Sequence, residues 1–115
     1  MCEFFIECLE EKNPWIYQGN INVGMTPLHY AAALGHLDIC SLIVKNVEDK
    51  NPDDRNGWTP LHWAAQFGHL EVCELLIANV IERNPEDIRG VTPLHSAASN
   101  GHIEVCELII QVYNV

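Results

Sequence analysis

Asn56-Gly57-Trp58-Thr59-Pro60-Leu61-His62-Trp63-Ala64-Ala65-Gln66-Phe67-Gly68-His69 decides how this chain is read, because its framework occurs three times. Thr-Pro-Leu-His stands at Thr26–His29, Thr59–His62 and Thr92–His95, each start 33 residues after the last. An Ala pair follows in step at Ala31-Ala32, Ala64-Ala65 and Ala97-Ala98, then Gly-His at Gly35-His36, Gly68-His69 and Gly101-His102. A Cys recurs at the same period, as Cys40, Cys73 and Cys106. A fixed period of this length marks one supersecondary unit stacked on copies of itself, so the expected architecture is a solenoid and not a closed globule.

Each unit reads as two helices. Pro is tolerated at the first helical position, where its missing N–H would have had no partner, and the preceding Thr hydroxyl can cap the first turn. Short first helices are expected over Leu28–Leu34, Leu61–Phe67 and Leu94–Asn100, their Ala pairs allowing close packing. Gly35, Gly68 and Gly101 stop them, because glycine takes a left-handed C-terminal turn cheaply. Second helices are expected over Leu37–Asn46, Leu70–Asn79 and Ile103–Val112, with apolar residues such as Val72, Leu75, Leu76 and Ile77 at helical spacing. Asn, Asp, Pro and Gly in Val47–Gly57 and Val80–Gly90 suit hairpin-like connecting loops. The fold class is thus an all-α repeat solenoid of stacked helix-turn-helix units. It forms a single domain, with a partial repeat over 1–21, repeats over 22–54 and 55–87, and an incomplete one over 88–115.

No unit can bury both helices alone; stacking, with Phe4, Phe5, Ile6 and Leu9 as a half-copy, supplies a continuous core. A chain of this length buries roughly 65% of its unfolded surface, so modest stability is expected. The last copy keeps Val105, Cys106, Leu108, Ile109 and Ile110 where a capping repeat would turn polar. That end is expected either to adjoin further repeats of a longer array or to support self-association.

Composition narrows the function. Sixteen acidic residues against six basic ones give a net charge of −10, with no Lys/Arg-rich run, so nucleic acid is not expected as a partner. No apolar run approaches the roughly 18 residues that span a membrane. Met1–Leu9 carries two Glu and no basic residue, unlike a signal peptide. Five cysteines, an odd number, three of them at the repeat period, point to reduced thiols and an intracellular setting, cytoplasmic or nuclear.

Chemistry-bearing clusters read as structural. The histidines and cysteines contain no C-x2-C or H-x3-H pair, so no metal or cofactor is expected. Ser41, Ser96 and Ser99 are the only serines, and none lies in a Gly-x-Ser-x-Gly turn. Asp38, Glu71 and Glu104 occupy equivalent positions in successive copies and read as a solvated stripe near helix N-termini. No enzyme activity is expected.

The unit resembles the ankyrin repeat, matching strongly over residues 22–115 and weakly over residues 1–21. The resemblance implies that His29, His62 and His95 each bond neighbouring backbone and form a ladder through the stack. It also implies a protein-protein interaction scaffold that binds a protein segment in a concave groove. That groove is lined by non-repeating positions of the hairpin ends and first helices. They are Asn22, Val23, Met25, Ala33 and Leu34; Arg55, Asn56, Trp58, Gln66 and Phe67; and Ile88, Arg89, Val91, Ser99 and Asn100. Tyr30, Trp63 and Ser96 flank it.

None of these fifteen positions is acidic and two are Arg, so the face is expected to carry about +2. Its anchors are expected to be Trp58, Phe67 and Arg55, the residue types that dominate interfaces, with Trp58 and Phe67 removable at little loss of fold. The resemblance implies two alternatives. One is a structural segment of a larger channel, membrane or enzyme polypeptide. The other is a substrate of an asparaginyl hydroxylase acting on Asn51 or Asn84, eight residues before the repeat Thr, with Ile43 and Leu76 eight residues earlier still. Pro52 and Pro85 follow these Asn residues where many repeats have Ala, and the plain reading is that both Asn support turns.

Overall fold

A computed structural model of the chain describes residues 24–80 and 82–113. The partial repeat over 1–21, Asn22, Val23, Cys2 and Cys8 lie outside these residues. Six helices and no strand are present among the described residues: α1 Pro27–Leu34, α2 Leu37–Asn46, α3 Pro60–Gln66, α4 Leu70–Asn79, α5 Pro93–Ser99 and α6 Ile103–Tyr113. Each unit is a helix pair joined by a short turn, and the pairs stack in order. First helices pack on first helices (α1 on α3, α3 on α5) and second helices on second helices (α2 on α4, α4 on α6). This is the all-α repeat solenoid.

The first helices start where they do because Thr26, Thr59 and Thr92 close a reciprocal cap. Each Thr hydroxyl accepts from the backbone N–H of the His three residues on, and that His ring accepts from the Thr backbone N–H. The spacing is that of a capping box, with His in the place usually held by Glu or Gln. The core between the layers is small on one side and branched on the other. Ala31, Ala32, Ala64, Ala65 and Ala97 let the first helices approach, while Val44, Val72, Leu76, Ile77, Val105 and Ile109 fill from the second helices.

Asp38, Glu71 and Glu104 are exposed in the first turns of α2, α4 and α6, where the helix dipole favours them. Cys40 and Cys73 are fully buried, and Cys106 is half-buried. Burial pushes the Cys40 thiol up to about 11 and the Cys73 thiol up to about 12. A thiol reagent at neutral pH should therefore modify Cys106 before either of the others; equal rates for the three cysteine peptides by mass spectrometry would contradict this packing.

Gly68 and Gly101 separate two demands that coincide at most repeat glycines. Both sit at positive φ, 74° and 75°, where a Cβ is strained. A Cβ on Gly68 would also lie 2.5 Å from Nδ1 of His102 in the next repeat, whereas one on Gly101 would meet nothing within 4 Å. Gly101→Ala should cost about 1–2 kcal/mol from backbone strain alone. Gly68→Ala should cost clearly more, because it also displaces the His102 ring. Urea titration of the two variants checks this, and equal losses would show that the ring does not set the requirement.

Candidate protein-binding face

The histidines form two ladders that run in opposite directions. In the first, the Nε2 of His29 bonds the Trp58 carbonyl at 2.7 Å and that of His62 bonds the Val91 carbonyl at 2.8 Å, each one repeat ahead. At the other ring nitrogen, the Thr26 and Thr59 backbone N–H groups donate to Nδ1 at 3.0 Å. A backbone N–H can only donate and a carbonyl can only accept, so the neutral Nε2–H tautomer is dictated by its surroundings. His95 keeps the Thr92 contact at 3.0 Å but is exposed, with no acceptor for Nε2 among the described residues.

The second ladder runs backward: His69 Nε2 donates to the Ala33 carbonyl at 3.0 Å and His102 Nε2 to the Gln66 carbonyl at 3.1 Å. These rings lie over Gly35 and Gly68. With the imidazoles so engaged, their geometry is that of braces between repeats. No group of three His, Cys, Asp or Glu among the described residues could hold a metal ion.

The hairpins that precede α3 and α5 are shaped by two aspartates. Asp54 Oδ1 accepts from the backbone N–H groups of Asn56 (3.0 Å) and Trp58 (2.9 Å). Asp87 Oδ1 does the same for Arg89 (2.7 Å) and Val91 (2.8 Å). Their second oxygens hold the tryptophans: Trp63 Nε1–H donates to Asp54 at 3.1 Å, and Trp58 Nε1–H donates to Asp87 of the next hairpin at 2.8 Å. Both aspartates are over nine-tenths buried. At Asp87 burial opposes ionisation, but the N–H groups of Val91 and Arg89, the Trp58 indole and nearby His62 together hold its carboxyl below 3.8.

The rings then form a continuous run. Trp58 stacks on His62 with centroids 5.2 Å apart and meets Trp63 edge-on at 4.8 Å. Trp63 lies nearly parallel to Phe67, 14° off and 6.2 Å away.

These contacts revise part of the sequence reading. Trp58 is half-buried and ties two hairpins together, so it is not removable at little loss of fold; its variation from copy to copy reflects a contact specific to this pair of repeats. Ser96, expected to flank the groove, is buried, although Ser99 beside it is exposed. The expected charge of +2 left out Asp54 and Asp87, which stand directly behind the aromatic run and balance Arg55 and Arg89; exposed Asp53 adds a further negative charge.

The remaining expected positions differ in exposure. Leu34, Phe67 and Ile88 are 61%, 50% and 71% exposed, and Arg55, Asn56, Arg89 and Asn100 are exposed as well. Met25, Tyr30, Ala33, Trp63, Gln66 and Val91 are half-buried. Asn100 Nδ2 donates to the Ser96 carbonyl at 2.8 Å. Asn51 and Asn84 are both half-buried: the Asn51 backbone N–H donates to Asp49 at 3.1 Å, and Asn84 Oδ1 accepts from the Leu94 N–H at 3.3 Å, capping α5. The Gly-His ladder and the aspartate anchors were not read from the sequence, although Asp54 and Asp87 do recur at the 33-residue period.

The family model for ankyrin repeats (three copies) matches residues 1–87 and again residues 47–115. No curated protein matches the chain in sequence. No helix among the described residues is long and apolar enough to cross a membrane.

The buried ladder makes stability depend on pH. Burial lowers the His29 and His62 pKa values below 6.5, against the pull of the bonded carbonyls and of Asp53, Asp54 and, at His62, Asp87. Their contribution is complete above 6.5 and is lost as pH falls through the lower folded-state values, because the unfolded chain takes up protons first. The loss is bounded by about 1.4 kcal/mol per pH unit for each ring. The Asp87 contribution is present above 3.8 and is lost only below that. Urea midpoints should thus fall from neutrality toward about pH 5, and the His29→Gln/His62→Gln variant should lose that slope; an unchanged slope in the variant would place the titration elsewhere.

Proposed function

We propose, for a chain that belongs to the ankyrin-repeat family, that the hairpins and first helices form a groove receiving an extended segment of another protein. The family consists generally of protein-protein interaction modules and is typically non-catalytic. The observation that carries the finer reading is the solvent exposure of the non-repeating apolar side chains Leu34, Phe67 and Ile88, with Phe67 stacked on Trp63. All three are half exposed or more. Leu34 and Phe67 are equivalent positions at the C-terminal ends of successive first helices, 33 residues apart, so a segment crossing the repeats meets both.

Around them stand exposed Arg55, Asn56, Arg89 and Asn100, a polar rim of the kind that surrounds the dry centre of an interface. Phe67 is the expected anchor: half-exposed, aromatic and held flat against Trp63. Phe67→Ala should weaken partner binding by about 2 kcal/mol and leave the urea midpoint nearly unchanged. A photo-crosslinking residue at position 67 should capture the partner, whereas one at Glu71, exposed on the second-helix side, should not. Equal capture from both positions would remove this face as the binding site.

A further inference from the structure

We infer that the Trp58–Trp63–Phe67 surface takes a cationic side chain, an arginine or a lysine, from a basic protein segment, an inference that rests on the reading of this face as protein-binding. The grounds lie in how the tryptophans are held. An indole presents a positive edge at its N–H and negative faces. Here both N–H edges are occupied by carboxylates, Trp58 by Asp87 at 2.8 Å and Trp63 by Asp54 at 3.1 Å. Anions at the positive edges push electron density toward the faces, which is the direction that favours a cation over the ring.

The geometry leaves a surface for it. Trp58 stacks one face on His62 and meets Trp63 in a T-shaped contact, so it acts as a buttress. Trp63 and Phe67 lie within 14° of parallel, and Phe67 is 50% exposed. Among the described residues, no Lys or Arg of the chain itself lies over these rings. A planar guanidinium stacks on such a surface, and an ammonium also gains from it.

Charge complementarity points the same way. Asp53, Asp54 and Asp87 all lie close enough to act on the His62 ring on which Trp58 stacks, and the whole chain carries −10. Arg55 and Arg89 project from the hairpin tips as exposed residues and do not cover the rings. A purely apolar occupant would use the ring area but gain nothing from the carboxylates behind it. A basic segment uses both and is drawn in by the net field.

The test is a selection of displayed random short peptides on the full chain, followed by affinity measurement on the wild type and on Phe67→Ala, whose fold is checked by circular dichroism. The expected result is a set of peptides sharing an Arg or Lys. Replacing that residue by citrulline or glutamine should lower affinity about tenfold on the wild type and much less on Phe67→Ala. Peptides that depend on Phe67 but share an aliphatic, aromatic or acidic residue would overturn the cation inference and leave the protein-binding face standing. Peptides that bind equally well to Phe67→Ala would overturn both.

Discussion

A neutral imidazole held between a donor and an acceptor is the constraint on which the rest of this structure depends. His29 and His62 each close the cap of their own helix through Nδ1 and reach the following repeat through Nε2. One side chain therefore starts a helix and sets the distance to its neighbour. If the ring flips, both contacts fail together; if it gains a proton, the cap fails, because an Nδ1–H would face the Thr N–H, while the Nε2–H bond to the carbonyl survives. Local folding and stacking are coupled at the same atom pair, which explains why a short motif can define an array.

The backward ladder of His69 and His102 adds the complementary restraint. The forward bonds end on the carbonyls that precede each repeat Thr, and the backward bonds end near the C-termini of α1 and α3. Each repeat is held at two separated places, which fixes its tilt as well as its spacing. That rigidity is what allows the hairpin aspartates to meet the tryptophans, and it holds the exposed side chains Leu34, Phe67 and Ile88 in fixed relation to one another. Preorganisation of this kind reduces the ordering cost of binding.

Much of the fold was legible in the sequence because its determinants are local. The Thr-Pro start, the His at the third helical position and the Gly stop all lie within about ten residues, and the helix bounds expected from them agree with the structure to within one residue at every end. The face was less legible. Variation between copies was read as freedom to serve a partner, yet Trp58 varies because it meets Asp87, a contact across 29 residues that no local pattern reveals. Asp54 and Asp87 recur at the repeat period, but their effect on the charge of the face is seen only when the indoles are placed against them. The His69 and His102 bonds span 36 residues and were likewise invisible to a local reading.

The stacking of Trp58 on His62 gives the array an optical voice. The indole lies 5.2 Å from an imidazole that takes part in the ladder, and 4.8 Å from a second indole. An imidazolium quenches indole emission far more strongly than neutral imidazole, and two indoles at this separation couple in the near ultraviolet. The central repeat thus carries its own chromophore pair beside the proton-sensitive brace, and intrinsic emission follows the state of that brace without an added label.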